Sequence, residues 1–150
     1  MSQLATAKRC AQTMWAGDTA SKALGMKIEI RKAGSATARM DVRNDMVNGF
    51  DICHGGMVFA LADSAFAFAC NAYDRVTFAA SASIEFLRPV RLGDSLRATA
   101  REEYRGRRRA YYVVTVENQD GEIVALFRGR AVSRDEPLLV DEDDTDTIET

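Results

Sequence analysis

The sequence predicts an α+β fold in which a curved antiparallel sheet wraps around one long central helix. Three observations carry this. Residues 56 to 73 form the longest apolar stretch, rich in Ala and Phe, and read as one buried helix. Segments of alternating polar and apolar residues, the mark of half-buried strands, precede and follow it. Strands and helices do not alternate along the chain, which excludes a doubly wound parallel sheet.

The elements follow in order. Residues 2 to 16 place Leu4, Ala7, Ala11, Met14 and Trp15 at helical spacing, and Gly17 ends the run. Asp18 or Thr19 can cap a short second helix that stops at Gly25. Met26, Ile28 and Ile30 alternate with charges in a first strand, and Gly34-Ser35 is its turn. Ala36, Ala38, Met40 and Val42 share one face of a second strand. Residues 44 to 55 lose the alternation and read as a loop leading into the long helix. Four further strands are predicted over Thr77 to Leu87, Ser95 to Tyr104, Ala110 to Glu117, and Glu122 to Ser133. The connections RPVRLGD, RGRRR and NQDG have turn chemistry.

The 150 residues suit a single domain, placed at 1–134 with the helix 2–16 at its start, followed by an acidic, disordered tail at 135–150. The net charge of -2 excludes a general nucleic-acid binder, although the body before the tail is basic enough to suit an anionic small ligand. The long apolar run carries Asp63 and is short for a bilayer span, so no membrane segment is expected. The N-terminus has no apolar signal-peptide core. Cys10, Cys53 and Cys70 are odd in number and form no C-x-x-C pair, which fits a reducing cytoplasm rather than a disulfide framework.

The stretch HGGMVFALAD, residues 54–63, concentrates the chemistry. Gly55 and Gly56 stand where a loop enters a helix, so their amides can bind an anion or a developing oxyanion, or they form a plain turn and cap. Asp63 is the only charged side chain between Gly55 and Tyr73, with Phe59, Ala60, Phe66 and Ala67 one turn away on either side. A buried carboxylate needs a partner, water or a shifted pKa, so Asp63 is either catalytic or tied to an arginine or across a subunit interface. His54 is the chain's only histidine, which excludes a multi-histidine zinc site, and the cysteines have the wrong spacing for one. Cys53 and His54 are sequence neighbours that tend to point apart, a poor catalytic dyad. Asn48 by itself reads as a turn residue, and Arg105, Arg107, Arg108 and Arg109 as a solvated hairpin tip or a phosphate contact.

In order, Asn48-Gly49, His54-Gly55-Gly56, Leu61-Ala62-Asp63, Ala69-Cys70-Asn71, Ile84-Glu85-Phe86-Leu87-Arg88-Pro89 and Gly93-Asp94 resemble the hotdog-fold acyl-CoA thioesterases, in particular the phenylacetate-degradation (PaaI-type) branch. The resemblance spans about residues 20 to 133. It implies a hotdog fold, dimers with a shared sheet that stack into tetramers, and active sites built from two subunits. It further implies that Asp63 is general base or nucleophile and that the Gly55 N–H polarises the thioester carbonyl. Asn48 would position water or the carboxylate, and His54 would help hold the thioester or shape the oxyanion site. Gly56, Ser81, Ser83 and Arg88 are the candidate substrate-binding residues, the serines because some relatives hold the attacking water from the strand after the helix. No metal and no cofactor is required, since a thioester carbonyl is electrophilic and its thiolate leaves readily. The implied substrate is an aromatic acyl-CoA such as phenylacetyl-CoA or a ring-hydroxylated form. Two other readings use the same fold, a non-catalytic acyl-CoA sensor and a hydratase or dehydratase. The intact Asp63 and the HGG context of His54 weigh against them.

Overall fold

A capped start opens the chain. In the computed structural model, which describes residues 1–140, helix α1 (Gln3–Gly17) begins at Ser2, whose hydroxyl accepts from the Ala5 N–H. Asp18 caps α2 (Thr19–Ala23) in the same way through the Ser21 N–H, and Gly25, at φ +70°, turns the chain out of it.

The strands are β1 (Lys27–Lys32), β2 (Ser35–Asp41), β3 (Thr77–Phe86), β4 (Ser95–Arg105), β5 (Arg109–Glu117) and β6 (Ile123–Ser133). They form one antiparallel sheet in the order β1-β2-β4-β5-β6-β3. Helix α3 (Gly55–Cys70) packs on the inner face of this sheet. The inward positions of β2 and β4 that meet it are small or flexible: Ala36, Ala38, Met40, Leu96, Ala98 and Ala100 are all buried. These alanines let the helix lie close, and the bulk of the core comes from Phe66, Phe127 and Tyr112, whose rings meet edge-on or tilted.

Helix α3 ends at Cys70 rather than at Tyr73, because Asn71 takes over its last turn. Its Nδ2 donates to the carbonyls of Ala67 and Thr77, and its Oδ1 accepts from the Thr77 N–H. One buried amide thus closes the helix and starts β3. Leaving that strand, the chain reaches the hairpin tip between β4 and β5, where the arginines are partly engaged. Arg105 pairs with Glu102 and stacks on Tyr73, while Arg108 pairs with Asp135.

Asp135 belongs to the segment expected to be a free tail, and its first residues are instead fastened. The Asp135 carboxylate also accepts from Arg75, the Glu136 carbonyl accepts from the Val76 N–H, and the Leu139 N–H donates to Asp74. Asp135 finds two arginines here, so the ordered body runs past residue 134. The expectation for 141–150 lies outside the described residues.

Candidate active site

Helix α3 starts without a side-chain cap, unlike α1 and α2. The His54 carbonyl accepts from the Met57 and Val58 N–H groups, and the His54 N–H is spent on the Met46 carbonyl. Among the described residues, the N–H groups of Gly55 and Gly56 have no acceptor. They are donors at the positive end of a helix of 16 residues.

These amides open onto a groove of about 470 Å³ lined by Asn48, Ile52, Cys53, His54, Gly55, Val58 and the segment Phe86 to Val90. The structure therefore brings Asn48, His54, Gly55 and Arg88 together, and Gly56 is exposed beside them. The groove is in the size range of small-molecule sites. Its walls are mostly apolar, which strengthens any hydrogen bond made to the Gly55 N–H.

Asn48 has a structural duty as well. Its Oδ1 accepts from the N–H groups of Phe50 and Ile52, and its backbone N–H donates to the Ile52 carbonyl. This folds residues 48–52 into a tight loop with Asp51 at φ 57°. With the carbonyl oxygen occupied, the Nδ2 is the part of Asn48 left to face a ligand. Arg88 is also partly committed, through an ion pair with Glu122 at 2.7 Å. Cys53 is buried while His54 is exposed, so the two point apart, and burial pushes the Cys53 thiol up, away from the thiolate a nucleophile needs.

Asp63 sits two turns along α3 from Gly55, half-buried on a side of the helix where Ala60 and Ala67 are also half-buried. Among the described residues, its carboxylate makes neither an ion pair nor a hydrogen bond, so the arginine-tied alternative finds no support within one chain. Desolvation raises its pKa above the ordinary value near 3.8. Asp63 does not line the groove. Eight residues of helix separate it from Gly55, roughly 12 Å of rise, too far for both to act on one carbonyl carbon.

Ser81 and Ser83 stand apart from the groove. The sequence reading places them on the strand that follows the helix, as candidate substrate contacts. The structure turns them to the outer face of the sheet, opposite Arg130 and Arg128. A β-bulge causes this. Ala79 pairs with the buried Ala131, but Ser81 pairs with Arg130, so Ala80 is an extra residue that inverts the alternation. Without it, Ser81 and Ser83 share the inward face of Ala79. Instead Ala82 and Ile84 face α3, and the serines line a separate outer cavity of about 610 Å³ with Tyr104 and Tyr111.

Sequence reasoning assigned Phe86 no role of its own, although it lies within the FLRPV motif. Its ring covers Gly55 so closely that a Cβ there would sit 2.9 Å from Cζ.

Residues 50–125 match the family described as the thioesterase superfamily. Over 121 residues the chain is 42% identical to acyl-coenzyme A thioesterase PaaI of Escherichia coli, covering 81% of this chain and 86% of the relative. The chain belongs to the thioesterase superfamily. The structure of the E. coli PaaI protein from the phenylacetic acid degradation operon matches this thioesterase with a TM-score of 0.88 at 39% identity, covering 91% of this chain and 99% of that one. A mutant of the phenylacetic acid degradation protein PaaI from Thermus thermophilus matches with a TM-score of 0.73 at 37% identity, covering 77% and 98%. The fold is the hotdog expected from the motif order, and the enzyme is a thioester hydrolase.

Proposed function

We propose that this thioesterase hydrolyses an aromatic acyl-CoA, of the phenylacetyl or hydroxyphenylacetyl type, to the free acid and coenzyme A. The observation that carries the reading is the pairing on one helix of open N-terminal amides at Gly55 and Gly56 with an unpartnered, desolvated carboxylate at Asp63. The thioester carbonyl oxygen accepts from the Gly55 N–H, and charge growing on it in the tetrahedral state is stabilised by the helix start.

Asp63 acts from the other side by one of two routes. As general base it takes a proton from water while the water oxygen bonds to the carbonyl carbon. The C–S bond then breaks and the thiolate leaves. As nucleophile its carboxylate oxygen displaces the thiolate to form a mixed anhydride, which water then hydrolyses. Burial suits both routes, because a poorly solvated carboxylate is more basic than an exposed one.

Since Gly55 and Asp63 of one chain stand about 12 Å apart by helix rise, the reading requires a second subunit to bring its Asp63 to the first subunit's Gly55. Strand β3 supports this, as a ten-residue sheet edge with exposed Phe78 and no partner on its outer side among the described residues. The assembly proposed is a homodimer joined at this edge, paired again into a homotetramer. Three free, buried cysteines accord with a cytoplasmic location.

The direct test is thiol release from a panel of acyl-CoA thioesters by wild type, Asp63→Asn and Asp63→Ala. Turnover confined to the wild type supports the assignment of Asp63, and equal turnover by all three sinks it. Tight binding of acyl-CoA with no hydrolysis by the wild type would point to the sensor.

A further inference from the structure

We propose that Phe86 is the specificity-determining wall of the acyl site, selecting a flat aromatic acyl group over an alkyl one; this rests on the acyl-CoA reading above. Phe86 is the last residue of β3, on the strand face that looks toward α3, since it pairs with the fully buried Ala125. Its ring reaches across to the helix start, where a Cβ on Gly55 would stand 2.9 Å from its Cζ. A side chain at position 55 would push the ring outward.

The base of the ring is held. The Leu87 and Arg88 N–H groups both donate to the Val124 carbonyl, so the backbone just beyond Phe86 is pinned to the start of β6. The ring itself is 54% exposed, unusual for a phenylalanine packed on a helix. One edge touches Gly55 and much of the rest faces the groove with Leu87, Pro89 and Val58.

A carbonyl oxygen accepting from the Gly55 N–H lies next to this ring. Of the two groups on that carbonyl carbon, the proposal sets the acyl carbon rather than the sulfur along the ring, so that an aryl group one or two bonds further on meets it in the offset or edge-on geometry aromatic pairs favour. An alkyl chain in the same place gains only ordinary apolar contact. The effect on selectivity is the size of one aromatic pair, roughly threefold to tenfold in the ratio of kcat/KM values.

The experiment holds the coenzyme A part constant and varies the acyl group. Phenylacetyl-CoA, benzoyl-CoA, hexanoyl-CoA and butyryl-CoA are assayed by thiol release with wild type, Phe86→Leu and Phe86→Tyr. The proposal expects Phe86→Leu to lower the aromatic-to-alkyl ratio roughly threefold to tenfold, and Phe86→Tyr, which keeps the ring, to retain it. Melting temperature and oligomeric state of each variant separate this from misfolding. An unchanged ratio in Phe86→Leu overturns the proposal, as does an equal fall for all four substrates, which would place Phe86 against the thiol arm or the amide. A wild type inactive on the whole panel sinks the hydrolase reading first, and is distinct from either result.

Discussion

The ring of Phe66 lies against Gly129, so close that a Cβ on that glycine would stand 2.7 Å from Cζ and under 3.0 Å from two more ring carbons. Phe66 is fully buried and packed between Tyr112 and Phe127. It has nowhere to go. Gly129→Ala therefore forces a shift of α3 or of β6, with an expected loss of about 1 to 3 kcal/mol. Denaturant unfolding at constant m-value measures it, and a loss below about 0.5 kcal/mol would show the core to be looser than the structure has it.

Gly55 presents the same contact with the opposite freedom. There the obstructing atom is the far end of Phe86, which is exposed and can swing outward. Gly55→Ala is expected to change the melting temperature little, yet to lower kcat/KM by displacing the groove wall. A large fall in stability with unaltered kinetics would contradict this.

Asp63 ties stability to pH. Its pKa is raised in the fold, so between about 3.8 and the higher folded value the folded chain holds a proton that the unfolded chain has released. Stability from this group is full below that window and falls as pH rises through it. Asp63→Asn, neutral throughout, is expected to be more stable than wild type at pH 7, with the gap closing at acid pH. Thermal melts of both proteins across the acid range read the difference. In the wild type, the acid limb of kcat/KM should lie above pH 3.8, because the carboxylate must be ionised to act.

Complementation tests the shared site. Subunits carrying Asp63→Asn and subunits carrying Gly55→Pro, which removes the amide proton, are co-expressed with different tags and purified as mixed dimers. One of their two sites then has both native groups, so about half of wild-type activity is expected from two inactive parents. Mixed dimers as inactive as the parents would return both groups to a single chain.

The order of elements was legible because the hydrophobic periods differ sharply. Two-residue alternation in Ala36, Ala38 and Met40 and the long apolar run from Val58 to Cys70, broken only by Asp63 and Ser64, leave little room for error. What escaped depends on contacts outside any local window. The end of α3 at Cys70 is set by Asn71 bonding to Thr77, and the fastening of residues 135–139 by Arg75, Arg108 and Asp74 from elsewhere in the chain. Ser81 and Ser83 face outward because one bulged residue, Ala80, inverts every position after it. Of the candidate site residues, the glycine pair and Asp63 stand out by chemistry alone. Phe86 does not, since an aromatic at a strand end is ordinary until its distance to Gly55 is known.

Strand β3 has a bearing on how the protein survives its own synthesis. TFAASASIEF contains no proline and no lysine or arginine, and Glu85 is its one charge. If subunits join at this edge as proposed, a newly made subunit holds the ribbon open until another copy arrives. Any extended apolar peptide could settle there first and seed insoluble aggregates. Low subunit concentration is then a hazard rather than a safeguard, and lysine at an outward position of this edge should improve solubility while abolishing assembly.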